Sequence, residues 1–569
     1  MRYGPQVPEC RQVAEEKHWQ PGESFTDAMT RIAHALADDA AHERAIYEIL
    51  VDHRFLPAGR VQAAAGSFRT VTAFNCFVSG TLPDSMSGIM DRVKEAALTM
   101  KIGGGIGYDF STIRPRGALI KTLGSKASGA VSFMTPFDAT CGTVASAGDR
   151  RGAQMSVLRV DHPDIRAFIE AKMNDHNLTN FNVSIGVTDA FMDAVETDGD
   201  FDLVFEGAVY ETLRARDLWE EIMAATWDYA EPGVIFIDRV NQMNNLWYCE
   251  SIAATNPCGE QPLPPYGACL LGSFNWIKYV RSVALAPYFD VEQLREDVHV
   301  MVRAMDNVID RTVYPLPEQE AEASAKRRMG LGATGVANAG EVMGMPYASP
   351  EYLDWCDNVM QVFVNECYRA SANLAREKGA FPLYDKDRYM EGAFIQKLEG
   401  ETLDLIEAHG IRNSHLTSIA PTGSISFAAD NISSALEPPF MLDMSRTVKE
   451  WDGNRVVKLQ DYAYANYGVA GRTANELSPK EHVAVLTTFQ RWVDSACSKT
   501  CNIGDDVTFE EFKDVYLEAY RLGAKGCTTF RAAGKRYGIM NAVEEPTQEA
   551  EAEGAACYIN PETGHRSCD

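Results

Sequence analysis

Basic residues are the first shortage: 53 Lys and Arg stand against 80 Asp and Glu in 569 residues, a net charge of −27. That balance argues against non-specific binding to nucleic acid, which needs a basic face. Nucleotides are not excluded, because backbone N–H groups hold small phosphates with little net charge. There is no run of about 20 apolar residues, the length a membrane helix needs. Met1 to Gln20 is polar and charged, without the apolar stretch of a secretory signal. These absences predict a cytoplasmic protein with no membrane partner. The 13 cysteines are odd in number and spread over a long chain. They read as thiols of a reducing compartment rather than as a disulfide framework.

What is present is ordinary globular composition, 46% hydrophobic and 23% charged. Residues 1–70 read as a helical region: Ser24 caps a segment with Met29, Ile32, Ala33 and Leu36 on one face. A helix is expected from Ser85 to Lys101, carrying Ile89, Val93, Ala97 and Met100 and running into a flexible Gly103-Gly104-Gly105-Ile106-Gly107. Asn180 to Thr188 alternates with the period of two of a strand. Helical patterns follow at Asp217 to Tyr229 and Val291 to Asp310. Strands interleaved with helices predict an α/β fold. Asn541 to Ala556 is acidic and poor in core formers, which predicts a mobile tail over 541–569. That tail carries Cys557 and Cys568, either as surface thiols or as a shuttle of reducing equivalents.

The most informative stretch is Thr255-Asn256-Pro257-Cys258-Gly259-Glu260-Gln261-Pro262-Leu263-Pro264. Its prolines exclude a helix and push the preceding residues toward extended geometry. An extended chain would put Asn256, Cys258 and Glu260 on one face at about 6.6 Å intervals. An amide, a thiol and a carboxylate together can bind a polar substrate, supply sulfur chemistry and move a proton. On pattern alone, a Pro/Gly surface loop with an incidental cysteine is an equal reading.

This stretch, with Gly267-Ala268-Cys269-Leu270-Leu271-Gly272-Ser273 after it, resembles the class II, adenosylcobalamin-dependent ribonucleotide reductases. The resemblance runs from about residue 50 to 535. It takes in Asn75-Cys76-Phe77-Val78, the glycine run through Arg116-Gly117, Arg150 to Met155, His162 to Ile165, Asn180 to Ser184, Arg327 to Gly332, Ala420 to Ser426 and Ser433 to Pro438. It implies a ten-stranded α/β barrel of two five-stranded halves over residues 71–540, with a central finger loop inside. It implies that Cys258 becomes the thiyl radical, that Asn256 and Glu260 contact the ribose, and that Cys76 and Cys269 form the redox pair. Pro421, Thr422, Gly423 and Ser424 would cradle the substrate phosphate. Asp138, Arg150 and Arg151 would lie at a deoxynucleotide effector site, where a surface salt-bridge role for the two arginines is an equal alternative. The loop Asn174 to Asn180 would relay effector identity.

The resemblance also implies a mechanism. Cobalamin Co–C homolysis yields a 5′-deoxyadenosyl radical that takes hydrogen from Cys258. The thiyl removes the ribose 3′-hydrogen and Glu260 takes the 3′-hydroxyl proton. The 2′-hydroxyl leaves as water, and Cys76 and Cys269 close to a disulfide that Cys557 and Cys568 re-reduce. The partners implied are a ribonucleotide substrate, a deoxynucleotide effector, a thioredoxin- or glutaredoxin-like reductant and a second copy in a homodimer.

Lys525-Gly526-Cys527-Thr528-Thr529-Phe530-Arg531 lacks the tandem tyrosines of reductases with a separate radical subunit. No N-terminal ATP-cone, no glycyl-radical motif and no Asp-x-His-x-x-Gly cobalamin motif is found; the last is generally lacking in this family. Cys497 and Cys501, four apart on an expected helix, read as one buried face, and no metal site is expected. Two alternatives stand beside the cobalamin enzyme: a reductase with a separate radical subunit, and a catalytically silent nucleotide-binding regulator.

Overall fold

The computed structural model describes residues 3–144, 152–173, 178–283, 286–450, 453–531, 558–559 and 566–567. Three helices open the chain, Pro8–Lys17, Phe25–Leu36 and Ala40–Val51. The second begins as its sequence predicts: Ser24 accepts from the Asp27 N–H, and Asp27 reaches back to the Ser24 N–H in a capping box. Met29, Ile32, Ala33 and Leu36 are all buried. The expected helix after Ser85 is Met86–Lys101, with Ser85 as cap. Its buried face is Ile89, Ala96, Thr99 and Met100, which leaves Val93 and Ala97 half-buried.

The strands that matter for function are β1 (Cys76–Val78), β2 (Gly105–Asp109), β3 (Gln154–Arg159), β4 (Phe181–Val187), β5 (Gly233–Phe236), β6 (Ala254–Thr255), β7 (Pro262–Leu263), β8 (Ala268–Cys269), β9 (Leu271–Asn275), β10 (Gly330–Thr334), β11 (Thr500–Ile503) and β12 (Gly526–Arg531). β1 to β5 pair in parallel in chain order. β5 then meets β12 antiparallel, and β12 pairs in parallel with β11. At the other edge β1 meets β8 antiparallel. β9 and β10 are parallel neighbours, and isolated parallel bridges continue from them, Leu331 to Thr417 and Ile419 to Cys497. The fold is therefore mixed α/β, as the alternation of periods predicts. Long helices such as Ala215–Tyr229, Val291–Arg311 and Pro350–Lys378 bury apolar faces in two cores.

Two expectations fail. The glycine run is not simply a flexible loop, because Gly105 and Gly107 begin β2. Cys497 and Cys501 do not share a helix: Cys497 lies at the isolated bridge and Cys501 on β11. The Thr500–Ile503 segment forms a ladder with β12, which outweighs the apparent helical spacing. Cys501 instead faces Cys527, with 4.0 Å between sulfurs. Among the described residues no cluster of metal-ligating side chains occurs, and no helix is long and apolar enough to cross a membrane.

Candidate active site

The stretch from Ala254 to Leu263 is a hairpin, not one extended strand. β6 and β7 pair antiparallel, Ala254 with Leu263 and Thr255 with Pro262. The Asn256 N–H donates to the Gln261 carbonyl at 3.1 Å, and the Gly259 N–H donates to the Asn256 carbonyl at 3.1 Å. Gly259 has φ +81°, a conformation that favours glycine. Proline's extended bias on Asn256 is respected, but the chain reverses after Pro257. Asn256 and Glu260 therefore meet across the turn rather than along a strand. The Asn256 Nδ2 donates to Glu260 Oε1 at 2.8 Å, and Asn256 Oδ1 accepts from the Gln261 N–H at 3.0 Å. Both side chains are buried, whereas Cys258 at the tip is exposed.

Two glycines make room for this hairpin. A Cβ on Gly107 would run into the Thr255 carbonyl. A Cβ on Gly105 would lie 3.1 Å from both Cys76 Sγ and Pro257 Cγ. The close approach that the glycine run permits is thus to the chain's own finger. From the first parallel set, Asn182 on β4 donates its Nδ2 to the Pro257 carbonyl at 2.8 Å. From the other side, Ser418 Oγ and the Ala496 N–H both donate to the Glu260 carbonyl at 2.9 Å. Sequence reasoning did not single out Asn182, Ser418 or Ala496. Gly105 and Gly107 had a signal, since two glycines two apart at the start of a strand mark close backbone approach.

Cys76 and Cys269 are direct cross-strand partners between β1 and β8, and both are buried. Residues so placed have Cβ atoms about 4.5–5.5 Å apart, close to the span of a disulfide. Gly105 puts this pair beside the finger tip.

Residues 74–530 match the family described as "Ribonucleotide reductase, barrel domain". The chain belongs to that family. It is 35% identical over 512 residues to a vitamin B12-dependent ribonucleoside-diphosphate reductase of Thermoplasma acidophilum, covering 84% of this chain and 63% of the relative. It is 32% identical over 589 residues to the enzyme of that name from Mycobacterium tuberculosis, covering 95% and 81%. A vitamin B12-dependent ribonucleotide reductase of Streptomyces avermitilis is 28% identical, over 84% of this chain and 58% of the relative. The chain thus spans under two thirds of the Thermoplasma and Streptomyces relatives. Within the reductases it groups with class II.

In this chain the expected phosphate loop follows an extended segment, Thr417 and Ile419 being the bridged residues. Pro421, Gly423 and Ser424 are exposed at the start of the helix Gly423–Ala428. Thr422 is the exception. Its hydroxyl is buried, accepts from the Ala435 N–H at 2.9 Å and meets Thr334 Oγ1 at 2.8 Å. It braces the loop from behind instead of pointing out of it.

At the expected effector region, Asp138 lies on the helix Ala130–Thr143. Its Oδ1 accepts from the Asn180 N–H at 2.9 Å and its carbonyl from Asn180 Nδ2 at 3.2 Å, which ties that helix to the start of β4. Arg150, Arg151 and part of the loop before Asn180 lie outside the described residues. His162 and Asp164 are buried braces. His162 Nε2 contacts the Ile113 carbonyl at 2.9 Å, and Asp164 accepts from the Arg116 and Ala130 N–H groups at 2.9 and 2.8 Å. Arg327 and Arg328 pair with Asp306, Asp310 and Glu250 and build the scaffold.

Proposed function

We propose that this chain reduces ribonucleotides to 2′-deoxyribonucleotides at Cys258, with adenosylcobalamin as its cofactor. The observation that carries the reading is one assembly: an exposed thiol at a hairpin tip, a buried Asn256–Glu260 pair behind it, and two opposed buried cysteines alongside. The tip suits an incoming cofactor. Cys258 is exposed, and a Cβ on Gly259 would meet nothing within 4 Å. When bound, adenosylcobalamin supplies the radical that turns the Cys258 thiol into a thiyl.

The chain's own residues do the rest. The Cys258 sulfur removes the ribose 3′-hydrogen. Glu260 takes the 3′-hydroxyl proton, and Asn256 holds that carboxylate and orients the sugar. Cys76 and Cys269 protonate the departing 2′-hydroxyl, give up two electrons and close to a disulfide. Glu260 then returns its proton to the 3′-oxygen and Cys258 its hydrogen to the 3′-carbon, so the balance is ribonucleotide plus dithiol to deoxynucleotide, water and disulfide. The Thermoplasma and Mycobacterium relatives are named for ribonucleoside diphosphates, and we take diphosphates as substrates, with their phosphates at Pro421 to Ser424 while Thr422 braces that loop.

The same reading extends to the architecture. The N-terminal region would span residues 1–70, the catalytic domain 71–540 and the tail 541–569. The catalytic domain would be a ten-stranded barrel of two five-stranded halves. The five parallel strands β1 to β5 form the first half. Segments at β9, β10, Thr417–Ile419, Cys497–β11 and β12 supply the second, with antiparallel seams at β5–β12 and β1–β8; these pairings support the reading. Cys557 and Cys568 lie outside the described residues; their sequence neighbours Tyr558 and Ser567 pair. That register supports their acting together as the tail shuttle, fed by a thioredoxin- or glutaredoxin-like protein. Asp138, Arg150 and Arg151 would serve a deoxynucleotide effector. The helix Met86–Lys101 leaves Met86 62% and Met90 41% exposed, which supports docking of a second copy there. A supplier of DNA precursors would work in the cytoplasm.

The deciding experiment uses the purified chain with ribonucleoside diphosphates, dithiothreitol and a deoxynucleotide effector, with and without adenosylcobalamin. Deoxynucleotide formation only with the cobalamin, and its loss in Cys258→Ser, is the expected result. Turnover that requires a separate metal-loaded radical subunit would overturn the cofactor, and nucleotide binding without turnover under either condition would indicate a silent regulator.

A further inference from the structure

Lys525 precedes β12 in the segment to which the reaction assigns no residue. It is 4% exposed. Its Nζ donates to the carbonyls of Asp494 and Ser495, each at 2.5 Å, and to that of Val493 at 3.4 Å. Burial pushes its ammonium down to about 7, opposed by the neighbouring Asp494. The Asp494 carboxylate accepts from the N–H groups of Leu416 at 2.7 Å and Thr417 at 3.1 Å, and from the Tyr368 hydroxyl at 2.8 Å. Two chain segments are thereby locked together, 416–418 and 493–496. Both end on one atom. Ser418 Oγ from the first and the Ala496 N–H from the second each donate to the Glu260 carbonyl at 2.9 Å.

We infer that Lys525 is a positioning residue for Glu260: through Asp494, Ser495 and Ala496 it fixes where the carboxylate end of the finger sits relative to Cys258. The inference rests on the proposed role of Glu260 as proton acceptor. The physical need is plain. A buried ammonium that satisfies two or three carbonyls sets their spacing, and losing it leaves those carbonyls unpaired in a dry site. A finger displaced by about 1 Å costs on the order of 10²-fold in rate while substrate binding elsewhere is untouched.

The test compares Lys525→Met with the wild-type full-length chain, in two readouts. Hydrogen exchange without cofactor should show faster exchange in peptides covering 493–498 and 254–263, with the helix Phe25–Leu36 unchanged. Steady-state kinetics should show kcat lower by about 10- to 100-fold with the nucleotide KM within about twofold. In a Glu260→Gln background the same change should cost less than about twofold further, because the positioned group is already gone. Lys525→Gln, which keeps a donor, should give the same pattern more weakly and serves if Lys525→Met does not fold. Loosening of 493–498 without loosening of the finger overturns the inference, as does an equal rate loss in both backgrounds. If the wild type turns over no nucleotide, the reading of Glu260 fails, whereas hydrogen exchange still decides whether Lys525 holds the finger.

Discussion

Asn256 has both ends of its amide engaged, so its side chain cannot rotate without breaking a contact to Glu260 or to the Gln261 backbone. That restraint makes Glu260 a carboxylate of fixed direction. Glu260→Gln keeps the volume and loses the proposed base; kcat should fall by about 10²-fold or more, with alkylation of Cys258 by iodoacetamide unchanged. Unchanged turnover would remove Glu260 from the chemistry. At Gly107 the constraint is steric. Gly107→Ala places a methyl on the Thr255 carbonyl and should lower stability by about 1–3 kcal/mol in denaturant unfolding, with more than tenfold loss of turnover. The residue types of the site, amide, thiol and carboxylate, were legible because their chemistry is local. Their geometry was not. Alternation predicted one face of a strand, and a turn closed by Gly259 brings Asn256 and Glu260 together instead.

Among the elements, the helix after Ser24 was legible from its cap and apolar stripe, and the one read over Val291 to Asp310 from its helical pattern, the structure ending it at Arg311. The glycine run was only half legible, since glycine is both what a loop tolerates and what a strand needs when another backbone lies on it. The N-terminal helices carry their own pH sensitivity. Burial pushes the His18 imidazole down to about 4 and that of His53 to about 3. Both are neutral in the fold below the ordinary histidine range, while the unfolded chain takes up protons from about pH 6.5. Stability is therefore present above pH 6.5 and is lost as the pH falls toward 4, by about 3 kcal/mol for His18. Urea midpoints measured from pH 7 to 4 should fall less steeply in His18→Gln; parallel curves would refute this assignment. Ser24→Ala, which removes the capping box, should cost about 1 kcal/mol in the same assay at pH 7.

For the whole molecule, what no local pattern could reveal is which distant segments meet. Cys76 and Cys269 are far apart in sequence, yet they sit opposite each other because β8 closes against β1. Only likeness to a family anticipated that pairing. The proposed dimer is likewise a property of the assembled surface: Met90→Glu should shift the chain to monomer in sedimentation and abolish any response to deoxynucleotide effectors, whereas an unchanged dimer would move the interface elsewhere. The finger has a further consequence, in time rather than in space. Its contacts come from β2 and β4 on one side and from residues 418 and 496 on the other. If the most sequence-distant contacts form last, as topology favours, a half-folded chain would carry Cys258 as an ordinary thiol. On the proposed role of Cys258, radical reactivity would arrive only with the last step of assembly.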